Sequence, residues 1–246
     1  MSIRKTLATS ARVLRQLRHD PRTLALIFVV PPVLLTILKY VFQGDSGVFG
    51  HISPMLLGIF PMIMMFLVTS IVTLRERTSG TLNRLMTMPL SKPDFIFGYA
   101  IAFCILGLFQ ALISCGVMLG LLNVIVLGGA LSTIIAAVLA AFLGTALGLF
   151  TSAFATSEFQ AVQFLPAFIF PQLLVCGLFI ARSGMAKPLR WFSDIMPLTY
   201  SVDAMRRVTT DSSWTGTLTR DLVVVAAFAV VALVLGSATI RRQEKT

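Results

Sequence analysis

An all-α membrane protein with six spans is the fold class this sequence predicts, and three observations predict it. Hydrophobic residues make up 57% of the 246 residues and mean hydropathy is +0.90, above the roughly half-apolar usage of soluble domains. Charged residues are only 12% of the chain and gather between long apolar runs. A run of about 20 apolar residues crosses the hydrocarbon, where backbone groups must be satisfied within the segment, so each run is expected to be a helix. The polar connections are too short to bury a core of their own. One transmembrane domain over 1–246 follows.

Residues 1–22 come first. At about 100° per residue, Ile3, Leu7, Val13, Leu14 and Leu17 share one arc, with Arg4, Lys5, Arg12, Arg15 and Arg18 opposite. Such a helix lies in the headgroup plane, with Arg4, Arg12, Arg15 and Arg18 toward anionic lipid. The plainer alternative is a basic flank that holds the first span's end inside. Pro21 ends the segment, because the residue before a proline is pushed out of the helical region. No apolar run precedes Leu24 and no small-residue cleavage pattern is visible, so no cleaved signal peptide is expected.

The spans are expected at about 24–42, 52–74, 95–122, 130–154, 161–181 and 222–240. Pro31, Pro32, Pro61, Pro166 and Pro171 interrupt them and favour kinks. Gly116 with Gly120 and Gly144 with Gly148 form small-xxx-small pairs that suit close helix approach, within the chain or between two copies. Met55, Met62, Met64 and Met65 gather in the second span, as adaptable ligand contacts or as ordinary filling. Cys104, Cys115 and Cys176 fall inside spans without metal-ligand spacing and read as packing residues, so no metal is expected.

The Lys and Arg residues set an orientation. Thirteen of 20 lie in the N-terminal segment, the second-to-third connection and the C-terminus. Both termini are therefore expected in the cytoplasm of a bacterial-type cell membrane. The 182–220 segment is basic too, and Asp194, Asp203, Asp211 and Asp221 offset part of that charge. It is too polar to span, yet it holds Leu189, Trp191, Phe192, Ile195, Met196, Leu198, Tyr200 and Met205. Two short helices either side of Pro197, dipping into the outer leaflet with Trp191 and Tyr200 at the interface, are expected there.

The spans lack chemistry. No ionisable side chain sits at mid-depth, where ion-coupled carriers usually place one. No nucleophile–base pair and no carboxylate pair is visible, and no Gly-rich GK[ST] loop would cradle ATP phosphates. An enzyme is not expected, and uphill movement would need energy from another subunit.

The connection 75–94 is the richest. "SGTLNRLMTMPL" reads as a two-turn helix, with Ser79 or Thr81 as N-cap and Pro89 as its end. Leu82, Leu85 and Met86 fall on one side. A helix this short is marginal alone, so a protein groove is expected to hold it; a solvated connector is the alternative.

"TLRERTSGTLNRLMTMPLSKPDFIFGY" closely resembles the signature of ABC-2 type transporter permeases, with an Arg-Glu pair, a Gly-Thr-Leu and a Pro-Leu-Ser after the second span. "DPRTLALIFVVPPVLLTILKYVFQG" is similar to the family's first-span pattern, and "DIMPLTYSVDAMRRV" to its last external segment, although Met196 stands where an Asn is usual. The resemblance covers nearly the whole chain. It implies six spans, an N-terminal connecting helix, re-entrant helices before the last span, a dimer of permeases, and a cytoplasmic ATP-binding subunit that carries ATP and Mg. The loop after the second span would be the coupling helix, with Glu76, Arg77, Gly80, Thr81, Leu82, Arg84 and Leu85 as the contact and Glu158 as a second coupling turn. Similarity to the anthracycline-exporter branch implies efflux of a hydrophobic or amphipathic molecule, drug-like or lipid. Glycan export by the same fold, a non-transporting scaffold and an ion-coupled carrier are the alternatives.

Overall fold

Thr6, Thr9, Ser10, Val13 and Leu17 are buried in the first helix, although three of these five are polar and none of the three was on the apolar arc. The structure, a computed structural model, describes residues 2–79 and 92–242. Helix α1 is Ile3–Arg18, and its buried stripe packs against α4, Lys92–Gly116. Ile3 and Leu7 stay exposed, at 77% and 53%. The helix thus has three arcs: small polar groups toward protein, an apolar arc left open beside them, and a basic arc. Close approach explains the choice. A Cβ on Gly98 of α4 would sit 2.6 Å from Thr9 Cβ, so only a small side chain and a glycine fit where the two helices touch.

Helix α2, Pro21–Val41, starts with Pro21 in its first turn, where the missing N–H costs nothing, and Asp20 as N-cap. The Asp20 carboxylate accepts from Thr23 N at 3.2 Å and Thr23 Oγ1 at 2.6 Å, and the Thr23 hydroxyl bond holds it below its ordinary pKa. Pro31 and Pro32 are buried inside the helix, which packs against α3 and α4.

Helix α3, Ser46–Thr78, has 33 residues, which at 1.5 Å each is about 50 Å. The hydrocarbon is only about 30 Å thick. The excess carries the last turn, with Arg75 and Arg77, past the apolar slab, and those cations also suit the negative end of the helix dipole.

The centre of the bundle is α5, Gly129–Ser152, which packs against α3, α4 and the last helix. Ala136, Ala137, Ala140 and Ala141 are buried there. A Cβ on Gly144 would overlap the Met62 backbone, and one on Gly148 would lie 2.5 Å from the Phe66 carbonyl oxygen. This pair of small residues therefore joins α5 to α3 within the chain, whereas Gly116 and Gly120 have nothing within 4 Å.

The fifth span departs from one continuous helix over 161–181. It runs as α6, Glu158–Phe164, a π-helical turn Leu165–Ile169, and α7, Phe170–Val175. Pro166 and Pro171 each remove a backbone donor, and the chain widens between them. Gln172 repairs part of the break, donating to the Phe168 carbonyl at 2.8 Å and accepting from Leu198 N at 3.3 Å.

Helices α8, Lys187–Asp194, and α9, Pro197–Thr210, flank Met196, and α10, Gly216–Arg242, ends the bundle. Leu198, Val202, Met205 and Val208 of α9 are buried, against α3, α5 and α10. The expected dip of these apolar groups into lipid is thus replaced by core packing. Trp191 and Ile195 remain exposed, at 72% and 61%. Among the described residues there is no strand, and six helices are long and apolar enough to cross a membrane.

Candidate functional site

The last turn of α3 leads directly into the 80–91 stretch, and the first turn of α4 leads out of it. Both turns are held by other parts of the chain. Glu76, on the entering side, is 4% exposed. Its Oε2 lies 3.7 Å from Nη1 of Arg12 in α1 and accepts no hydrogen bond. Arg12 also donates from Nη2 to the Tyr99 hydroxyl at 2.7 Å and stands 5.8 Å from that ring's centre. Tyr99 in turn packs on Phe95, with ring centroids 4.3 Å apart.

Asp94, on the leaving side, is 2% exposed. It accepts from the Ser2 backbone N–H at 2.8 Å and the Thr6 hydroxyl at 3.3 Å. Helix α1 therefore grips α4 in two places, Asp94 and Tyr99, and reaches α3 at Glu76. A buried carboxylate persists only where charges or donors compensate its lost hydration, and here α1 supplies both.

The other arginines of "LRERT" reach the turn between α5 and α6. Arg75 makes a bidentate pair with Glu158, Nε to Oε1 at 2.6 Å and Nη2 to Oε2 at 2.9 Å, and both side chains are about half exposed. Arg77 Nη1 donates to the Ser152 carbonyl. Ser157 caps α6 through Gln160 N at 3.2 Å, which presents Glu158 in the first turn. An open cleft of about 400 Å³ lies between Gln16, Arg75, Glu76, Thr78, Ser79 and Glu158.

Of the predicted contact residues, Glu76 and Arg77 are placed here together with Glu158. Gly80, Thr81, Leu82, Arg84 and Leu85 lie outside the described residues. Arg4, Arg15 and Arg18 are exposed on α1, whereas Arg12 leaves that arc and turns inward. Trp191, Pro197 and Tyr200 belong to the opposite end: Pro197 opens α9, and the Tyr200 hydroxyl donates to the Asp194 carbonyl at 2.6 Å. Sequence reasoning missed Arg75, Asp94 and Tyr99. Asp94 carried a weak signal, an acid in the first turn of an apolar helix, but nothing pointed to its partners on α1. Among the described residues no group of three His, Cys, Asp or Glu could hold a metal.

The amino-acid sequence that builds this six-span bundle is matched in known proteins. The family described as ABC-2 type transporter matches residues 4–209. The chain belongs to the ABC-2 type transporter family. Two relatives place it further. It is 28% identical over 141 residues to ABC transporter G family member 20 of Dictyostelium discoideum, covering 57% of this chain and 19% of that protein. It is 25% identical over 172 residues to the probable multidrug ABC transporter permease YbhR of Escherichia coli K12, covering 66% of this chain and 47% of that one. The chain thus spans about half of one relative and a fifth of the other. As an ABC-2 family chain with six membrane-crossing helices, it is a multi-pass membrane protein.

Proposed function

We propose that this chain is the membrane permease subunit of an ABC exporter, driven by ATP hydrolysis on a separate cytoplasmic subunit. The clamp around the 80–91 stretch is the observation that carries it. A loop that receives force from a moving partner must be tied to the membrane helices on both sides, and Glu76, Arg75, Arg77 and Asp94 are so tied. The partner binds ATP and Mg and catalyses hydrolysis; this chain is not an enzyme. Its contact is the coupling stretch, with Leu82 and Leu85 entering a groove and Glu158 extending the surface. Both termini face the cytoplasm, in a bacterial-type cell membrane.

Two copies, or this permease and a related one, form the pathway. The poor burial of α2, α6–α7 and α10 supports that, since each presents an apolar face to lipid or to a second permease. ATP binding shifts the inward–outward equilibrium through its different affinity for the two states. The cargo is hydrophobic or amphipathic, drug-like or lipid, in keeping with spans free of mid-depth charge and with the multidrug name of the Escherichia coli relative.

The test is affinity purification of the full chain in mild detergent, beside a Glu76→Ala, Leu82→Ala, Leu85→Ala variant. A stoichiometric ATP-binding protein is expected with the wild type and absent with the variant, and membranes holding the pair should show ATP-dependent efflux. A wild type that captures no ATPase and supports no such efflux overturns the reading.

A further inference from the structure

At the end of the bundle opposite α1, a cavity of about 560 Å³ opens between the end of α2, the start of α3 and the α4–α5 connection. Lys39, Tyr40, Phe42, Phe49, His51 and Asn123 are among its walls. Phe49 and the neighbouring Leu122 and Val124 are buried and supply an apolar floor. Lys39 is half-buried, and one of its three donors is used: Nζ to the Leu122 carbonyl at 3.0 Å. No carboxylate lines the cavity, and among the described residues no acid pairs with Lys39. The polar wall therefore offers a cation and neutral polar groups with no fixed anion.

The backbone around it is unusual. Helix α4 ends in a π-helical turn, Val117–Leu121, and Asn123 follows with φ of +52°. Such conformations persist only where surrounding structure fixes them, and they gather at binding sites. Tyr40 and Ile125 of the lining are exposed at 68% and 82%, and Val41 and Leu121, next to lining residues in sequence, at 67% and 73%, so apolar surface surrounds the opening. Tyr40 and Lys39 stand in the last turn of a span, at the headgroup level.

We propose that this cavity binds the headgroup of an anionic phospholipid from the leaflet opposite α1. The phosphate accepts from Lys39 Nζ, which keeps its bond to Leu122, with Asn123 and His51 as further polar neighbours. The acyl chains leave along Tyr40, Val41, Leu121 and Ile125. A cation half withdrawn from water and lacking a carboxylate is offset by such an anion, and basic pockets between spans suit acidic headgroups. The apolar mouth distinguishes this ligand from free phosphate. The site holds whatever the transported molecule is, since it rests on the six-span arrangement alone.

The test uses the purified full chain in detergent, with native mass spectrometry reading bound phosphatidylglycerol, phosphatidylcholine as comparison, and inorganic phosphate in excess as competitor. Wild type is expected to retain phosphatidylglycerol about tenfold over phosphatidylcholine, and phosphate should not displace it. Lys39→Gln should lower retention at least about tenfold, the loss of one charge-assisted hydrogen bond. Lys39→Arg should keep it, as should Arg190→Gln, a control for general attraction to a basic chain. Ile125→Glu puts a carboxylate at the mouth on a side chain without a core role, and should also lower retention; it decides the matter if Lys39→Gln does not fold. Equal retention of both lipids, displacement by phosphate alone, or full retention in Ile125→Glu or in a folded Lys39→Gln overturns the proposal. Any of these leaves the ATPase capture result untouched.

Discussion

The two ends of this bundle are both laced with ion pairs, but they join different things. At the α1 end the partners are far apart in sequence: Arg12 with Glu76 is separated by 64 residues and Arg75 with Glu158 by 83. At the opposite end they are near: Arg182 with Asp203 by 21, Arg206 with Asp203 by 3, and Arg207 with Asp221 by 14. One end ties separate helices into a unit on either side of the 80–91 stretch. The other stitches a local cap over the helix ends, with Arg182 also reaching Asp194. The difference teaches that similar chemistry joins separate helices where contacts are long-range and orders a local segment where they are short-range.

Asp203, Asp221 and Glu76 are alike in burial but differ in how many cations face them. Asp203 and Asp221 are 3% and 0% exposed and each faces two arginines. Glu76 is equally buried but has one cation, Arg12, at a longer 3.7 Å.

The largest effect should come from Asp203→Ala. It strips the acid from Arg182 and Arg206, whose side chains are only partly exposed, at 19% and 32%. Removing one partner of a buried pair costs up to 3–5 kcal/mol; the partial exposure reduces this to about 2–3 kcal/mol. Thermal unfolding in detergent should record the loss, and an unchanged midpoint would break the picture of a stitched cap.

Glu76→Gln is expected to cost less, about 1 kcal/mol, because Arg12 keeps its Tyr99 bond. A double-mutant cycle with Arg12→Gln should be non-additive, since the two groups share one contact. Additive losses would mean that α1 is not clamped through this pair.

Asp20→Ala should cost about 1 kcal/mol as a lost N-cap, and the effect should depend on pH. The Thr23 hydrogen bonds hold the folded carboxylate below its ordinary value of 3.8. The unfolded chain therefore binds a proton first as pH falls. The stabilisation is present above about pH 4 and disappears as pH drops through the folded value. Wild type and variant should thus converge in acid; a constant difference would mean that capping is not electrostatic.

The smallest effect belongs to Arg75→Ala. Its pair with Glu158 is well formed but half exposed on both sides, so water screens it and stability should change by less than about 1 kcal/mol. A larger shift in unfolding midpoint would show that this end, too, depends on its exposed pairs.

Much of the fold was legible. Continuous apolar runs marked the spans, and Pro21 marked the end of the first helix. The site was legible only in part. Glu76, Arg77 and Glu158 were named through the family resemblance. That Arg75 meets Glu158, or that Arg12 turns from lipid to Tyr99, was not legible. Periodicity gives the direction of a side chain about its own helix axis, never the neighbour it meets. The same limit explains α9, where Leu198 and Met205 read as lipid-facing although the bundle buries them.

The sequence by itself determined six helices, because each apolar run must satisfy its backbone internally in hydrocarbon and no other local structure does so. It also determined the family, through motifs spread along the chain. Only the tertiary structure decided which faces are covered. Gly98, Gly144 and Gly148 admit backbones at distances that no larger side chain allows. Those close contacts fix how the helices are rotated against one another. That rotation brings Arg12 to Glu76, Arg75 to Glu158 and Lys39 to the Leu122 carbonyl.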